Sequence, residues 1–404
     1  YFIEGHVPIE AINKLLKEQP ADNIIALMGQ FASDNRATKV DLGVGVYKNQ
    51  SGVTPIMGAV KKAQALLLES QVSKSYVGLL GNLNFVQSMK NLILSDSLRS
   101  ENFVGAQAPG GTGSLHQMFL LLRAANPNIT VWISNPTWPN HPSMLRHLGI
   151  EFRYYRYFSE ETGSTDFDGM MSDLAEAKCN DVILLHGCCH NPTGANLSVG
   201  EWDSISQLCL KNEIIPLVDL AYQGFGDGLE EDVLGLRRMA GLVPELIIAA
   251  SCSKNFGLYR DRVGVALYLN EDKKVLSLTS DNLKSVNRLT YSFPPDWGAT
   301  VVSTILNDSG LRADWNEEVQ DIRSSITHLR LGLRDALKRA TNSDRFAFLG
   351  EHKGMFSRLG LTKGQVDLLR KDHAIYMVGD SRINIAGLNE KSVNVLANAV
   401  AKIL

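Results

Sequence analysis

The chain has 404 residues, 44% hydrophobic and 21% charged, with a formal net charge of −3 at neutral pH. That length supports a large core divided into two domains, or one domain with a satellite, and the balanced charge without a basic run argues against a nucleic-acid or anionic-membrane partner. Five cysteines, Cys188 and Cys189 adjacent among them, do not make a secreted disulfide framework, and no apolar run is long enough to cross a bilayer.

In chain order, the first strong signal is APGGTGSLHQMFLLL, where Gly110, Gly111, Thr112 and Gly113 lead into a helix with Leu115, Met118, Phe119 and Leu122 on one face. Such a glycine turn can present backbone N–H groups to an anion at the positive end of the helix, with a plain tight turn as the equal alternative. Its spacing fits neither the P-loop nor GxGxxG. From about residue 103 to 270, short apolar runs alternate with helical patterns: VWISN (131–135), DVILLHG (181–187), IIPLVDL (214–220), ELIIAAS (245–251) and GVALYLN (264–270). That alternation predicts an α/β fold around a mostly parallel sheet. Ser198 and Glu201 have capping-box spacing before a helix bearing Trp202, Ile205 and Leu208. Past Gly310, Trp315, Val319, Ile322, Ile326, Leu329, Leu333 and Leu337 recur at helical steps and predict one long amphipathic helix; Val393, Leu396, Ala397, Val400 and Ile403 predict a terminal one.

Ligands of an open parallel sheet bind beyond the carboxyl ends of its strands, and the unusual residues gather there. Asp219 closes IIPLVDL, where a carboxylate serves as a turn cap or pairs with a cationic ring nitrogen. Asn191 lies in the turn CCHNPTG. In HGCCH, His186, Cys188 and His190 would share one strand face as zinc ligands, but no second ligand pair accompanies them and no metal site is expected. Lys254, in SCSKNFGLYRDRVG, falls in the same layer as Gly111, Thr112, Ser251, Arg262 and Asp219. An amine, an acid and a set of phosphate donors suit pyridoxal phosphate.

The motifs GVGVYK, PGGTG, NPTWPNH, HGCCHNPTG, DLAYQGF, SKNFGLY, YSFPP and SRINIAG, in this family's order over nearly the whole chain, resemble the aspartate aminotransferases of the class I pyridoxal-phosphate family. The resemblance implies a fold type I transferase: a large cofactor domain (53–319) with a mostly parallel central sheet flanked by helices, a smaller α/β domain (20–52 and 320–404), and an N-terminal arm (1–19) on a partner subunit. It makes Lys254 the lysine that bonds covalently to the cofactor and carries the catalytic proton, and Asp219 the partner of the pyridine nitrogen, supported by His141. Asn191 and Tyr222 would hydrogen-bond the ring's phenolic oxygen and Trp138 would stack on its face. Gly110, Gly111, Thr112, Ser251 and Arg262 would hold the phosphate, with Tyr76 reaching in from the other subunit of a homodimer. Arg382 would take the substrate α-carboxylate and the partner subunit's copy of Arg288 the distal one, with Gly45 against the substrate.

The implied reaction moves an amino group from L-aspartate to 2-oxoglutarate by a ping-pong mechanism, with side activity on aromatic amino acids; a tyrosine aminotransferase of the same family is the alternative, ahead of a lyase or a non-catalytic scaffold. Amino acids and 2-oxo acids are the expected partners, in the cytoplasm, or in the mitochondrial matrix if a transit peptide has been removed. Four departures stand out. Cys252 replaces an aromatic, Arg260-Asp261 replace Asn-Glu, and Ser75 and Phe293 replace residues that are often Asn in aspartate-specific members; the last bears on substrate choice.

Overall fold

A computed structural model describes residue 16 and residues 23–95, 98–99 and 101–404, so the arm assigned to residues 1–19 lies outside the described residues apart from Leu16. A short β1 (Val40–Asp41) precedes the main sheet. That sheet has seven strands in the order β2 (Phe103–Pro109), β10 (Val263–Asn270), β9 (Glu245–Ser251), β8 (Ile215–Leu220), β7 (Val182–His186), β3 (Thr130–Asn135) and β4 (Glu151–Arg156). All neighbours are parallel except β10, which runs against both β2 and β9. β5 (Phe158–Ser159) and β6 (Ser164–Thr165) form a hairpin at the side.

Alternation along the strands buries both faces. Val131, Ile133, Leu184, Leu217, Ile247 and Ala249 point to one side, onto Leu115, Met118, Phe119 and Leu122 of the helix Gly110–Ala125. Ile183, Leu185, Val218, Ile248 and Ala250 point to the other, in a core that includes Trp202, Ile205, Leu236 and Met239. Period-2 side chains with helices on both faces are what a mostly parallel sheet requires. The Ser198–Glu201 capping box opens the crossover helix Val199–Asn212 as its spacing predicts.

The long helix runs from Ser309 to Thr341, 33 residues and about 50 Å. It buries Trp315, Val319, Ile326, Leu329, Leu333 and Leu337, and the terminal helix Glu390–Ile403 packs on it. β1 pairs in parallel with β12 (Ile375–Tyr376), and β11 (Phe356–Arg358) pairs antiparallel with β13 (Arg382–Asn384). These pairings bring residues near 40 beside the last quarter of the chain. Among the described residues no helix is long and apolar enough to cross a membrane.

The structure corrects one local expectation. β7 ends at His186, and Cys188 to His190 lie in the bend after it, with Cys189 turned to φ +50°. His186, Cys188 and His190 therefore do not share a strand face.

Candidate active site

Strand register gathers the site. His186 pairs with Asp219, Asp219 with Ala249, Ser251 with Gly264, and Val263 with Pro109. The carboxyl ends of β7, β8, β9 and β2 thus lie side by side with the start of antiparallel β10. The β9–β10 connection carries Lys254 and Arg262, and the helix after β2 opens at Gly110. Gly110 has φ +75°, and a Cβ there would stand 2.5 Å from an Nη atom of Arg262; a Cβ on Gly264 would meet the Gly110 carbonyl at 2.6 Å. Only glycine permits both this backbone and this approach.

These elements form a cleft lined by Gly111, Thr112, Trp138, Asn191, Asp219, Tyr222, Ser251, Lys254 and Arg262, together with His186, Cys188, Ala221 and Ser253. At one end the first turn of the helix Gly110–Ala125 faces Ser251, Ser253 and Arg262, whose Nη1 lies 3.4 Å from the Ser253 hydroxyl. A helix N-terminus, two hydroxyl side chains and a guanidinium make a cradle for a dianion. At the other end sits Asp219, whose side chain is 10% exposed. Lys254 stands between them with its Nζ 5.0 Å from the Tyr222 ring centre. The protein packed around that amine lowers its pKa from 10.5 to about 8; Arg262 and Arg382 push the same way and Asp219 opposes them. Burial pushes the Tyr222 phenol up, so it stays a proton donor.

Behind Asp219 lies a polar relay. Its Oδ2 is 2.9 Å from His141 Nε2; the Thr137 hydroxyl is 2.8 Å from His141 Nδ1 and 3.1 Å from His186 Nε2. His141 is fully buried. Burial, with His141 nearby, holds His186 down at about 3, so it is neutral. His190 has its nitrogens on Ser134 and Thr193. The imidazoles of HGCCH are thus committed within the protein, His190 to two hydroxyls and His186 to the Thr137 hydroxyl and the Asn191 backbone N–H, which donates to Nδ1 at 3.4 Å. Thr137 and Ser253 are site residues that the sequence reading passed over, and Thr137 could have been sought from NPTWPNH, four residues before His141.

Arg382 is 4% exposed. Its Nη atoms reach the Gly43 carbonyl (2.8 Å) and Asn191 Oδ1 (3.4 Å), its guanidinium lies 4.6 Å from the Phe356 ring, and its buried Nε has no hydrogen-bond partner. Asn191 Nδ2 is 3.5 Å from the Tyr222 hydroxyl, so Arg382 joins the cleft through Asn191. Gly45 lies nearby, where a Cβ would meet Phe356 at 3.0 Å. Two predicted site residues are not brought to this cleft within one chain. Tyr76 is 85% exposed and stacks on Phe293 with ring centres 4.7 Å apart. Arg288 is exposed, its Nη1 2.7 Å from the Ser292 hydroxyl.

Comparison with known proteins agrees with this chemistry. The sequence profile of the family described as aminotransferase class I and II matches residues 37–400. The aromatic-amino-acid aminotransferase of Paracoccus denitrificans is 51% identical over 96% of this chain and 98% of its own length. The aspartate aminotransferase of Salmonella typhi is 41% identical over 95% and 98%. Among solved structures, the aromatic-amino-acid aminotransferase from Burkholderia pseudomallei covalently bound to pyridoxal phosphate superposes with a TM-score of 0.94 at 37% identity, covering 96% of this chain and 98% of that one. An amine, a carboxylate and an anion cradle converge at the carboxyl edge of the sheet, and the family profile spans nearly the whole sequence: the chain belongs to the class I and II aminotransferases, whose cofactor is pyridoxal phosphate.

Proposed function

We propose that this aminotransferase acts on both dicarboxylic and aromatic amino acids, with 2-oxoglutarate and glutamate as the common partner pair. The observation that carries the reading is Arg382: a buried guanidinium beside the cleft, held by neutral oxygens, with one N–H unpartnered. A buried cation is costly without an anion, and the carboxylate that amino acids and 2-oxo acids share suits it.

When bound, pyridoxal phosphate supplies an aldehyde that takes up amines and a pyridine ring that accepts electrons. The residues fit it. Gly110, Gly111, Thr112, Ser251 and Arg262 would hold the phosphate, and Trp138 would cover the ring face. Asn191 and Tyr222 would donate to the phenolic oxygen. Asp219, oriented by His141, would keep a proton at the ring nitrogen. Lys254, mostly neutral above pH 8, would attach covalently and then move the proton at the substrate's α-carbon.

That lowered amine has a measurable consequence. A lysine near pKa 8 is neutral above that value and protonated below it, so covalent loading of apoenzyme should quicken with pH up to about 8 and then level. Near pH 6 it should run about a hundredfold slower. Stopped-flow loading measures this; a rate still climbing past pH 9 would show an ordinary lysine.

Substrate range rests on a patch of Arg288, Ser292, Phe293 and Tyr76. In the proposed homodimer, this patch reaches the neighbouring cleft, between the small domain carrying Arg382 and the large domain carrying Asn191. A distal carboxylate would draw Arg288 off Ser292, and an aromatic side chain would pack on Phe293 and Tyr76 with Arg288 set aside. The relatives named for aromatic amino acids and for aspartate support both halves. A matrix of amino donors against oxo acids is the test, with aspartate and tyrosine or phenylalanine both expected to be used. In Arg288→Ala, the aspartate kcat/KM should fall about fivefold to 150-fold, from roughly 1–3 kcal/mol for a lost charged contact, while aromatic activity stays within a fewfold. Equal losses on both donors would assign Arg288 a structural role.

A further inference from the structure

The bend HGCCH holds two thiols that the transamination chemistry does not use. Cys188 and Cys189 are 5% and 2% exposed. Their sulfurs and a carboxylate oxygen of Asp232 all lie within 4.8 Å of one another. Asp232 is fixed by N–H donors from Gly224, Gly226 and Asp227 at 2.7–2.9 Å. Cys188 stands on two cavities: the active-site cleft, and a second cleft that Asp232, Trp202 and Lys353 also line. An ion entering the second cleft therefore meets Cys188 and Asp232 directly, with the Cys189 sulfur within 4.8 Å of both.

The neighbouring charge is unusual. Arg330 is 3% exposed and donates to the Ser357 hydroxyl and to the Gly354 and Phe356 carbonyls at 2.5–3.0 Å, all of them neutral. Gly354 lies against Cys189, close enough that a Cβ on it would stand 2.7 Å from Sγ. A buried guanidinium supported only by neutral oxygens favours anions beside it.

We propose that Cys188, Cys189 and Asp232 form a binding site for a thiophilic divalent cation such as Cd2+ or Zn2+, and that filling it inhibits the enzyme. Binding moves two thiol protons to solvent and oxidises nothing. Two thiolates and a carboxylate against a divalent ion leave one negative charge, which Arg330 balances. Zinc–sulfur bonds of about 2.3 Å in a tetrahedral shell place two sulfurs roughly 3.8 Å apart, so a small closure of the three groups suffices. Soft sulfur donors select such ions over Mg2+ or Ca2+. Inhibition follows because the chain that would close on the ion joins His186 to Asn191, both on the active-site cleft.

The test uses holoenzyme carrying Cys179→Ser, which removes the exposed thiol. It is titrated with CdCl2 while ultraviolet sulfur-to-cadmium charge transfer and turnover are followed. One equivalent per chain should develop the band and lower turnover, and a chelator should reverse both; MgCl2 should do neither. Cys188→Ala and Cys189→Ala should each weaken binding at least about tenfold. No band in the parent, or an undiminished band in the double variant, would overturn the site, and binding without inhibition would overturn its link to the cleft. Should the double variant fail to fold, X-ray absorption at the cadmium edge of the parent decides: two sulfur neighbours support the site, and a shell of oxygen and nitrogen alone rejects it.

Discussion

Lys254→Ala is expected to lower turnover by about 10^4-fold or more, since a positioned acid–base group alone contributes roughly 10²–10⁴ and the covalent attachment is lost with it. The fold should survive. Lys254 lies at the cleft with part of its surface open, while its neighbours Asn255 and Phe256 are anchored by Trp315, whose indole donates to the Asn255 carbonyl at 2.7 Å and stacks on Phe256 at 4.3 Å. Borohydride reduction of wild-type enzyme followed by peptide mapping should place the pyridoxyl group on Lys254, and another site would refute the assignment. The same variant probes the proposed dimer. Lys254→Ala and Arg288→Ala chains, unfolded and refolded together, give about half heterodimers, each with one intact site if Arg288 serves its neighbour, so about a quarter of wild-type aspartate turnover should return. No recovery in verified heterodimers would place Arg288 in its own chain's cleft.

The parts of the fold legible in the sequence are those set by local pattern. ELIIAAS became β9 over the same residues, 245–251, because a central strand buried on both faces is a bare apolar run between turns. The long helix announced itself by its spacing. β4 did not: EFRYYR lies at the sheet edge with only Tyr155 buried, so no apolar stripe marks it. β2, FVGAQAP, was hidden for another reason. Gly105, Ala106 and Ala108 are small because helices and β10 crowd them, and a Cβ on Gly105 would sit 2.6 Å from Val86. The reversal of β10 also left no local sign. Direction is set by which neighbours a strand pairs with, and GVALYLN would read the same either way.

The site divides along the same line. Lys254, Asp219 and the glycine turn stand at strand ends, which motif and periodicity locate, and the structure brings them to one cleft. The relay through Thr137 joins residues 49 apart in sequence, and nothing local ties a threonine to a distant histidine. In HGCCH the strand alternation stops at His186, because the backbone turns beyond it and is left-handed at Cys189. Tyr76 and Arg288 were placed by resemblance alone; their own chain leaves both exposed.

Asp219→Asn is the second large effect, and it separates charge from shape. The amide keeps the side-chain volume at the end of β8 and can still hydrogen-bond His141, now 2.9 Å away, so folding should be nearly unchanged. What it loses is the negative charge that would hold a proton at the cofactor's ring nitrogen. Asp219 is only 10% exposed, and in so dry a setting a fixed charge acts with little screening. Turnover should therefore drop at least about a hundredfold, comparable with removing one preorganised electrostatic partner elsewhere. The loss should fall on kcat more than on KM, because the substrate carboxylate is assigned to Arg382 at the far side of Asn191. Thermal unfolding and cofactor content measured alongside distinguish the outcomes. A kcat within a fewfold of wild type, with full cofactor occupancy, would mean that the carboxylate merely caps the strand; a parallel collapse of stability would mean that its charge supports the fold through His141.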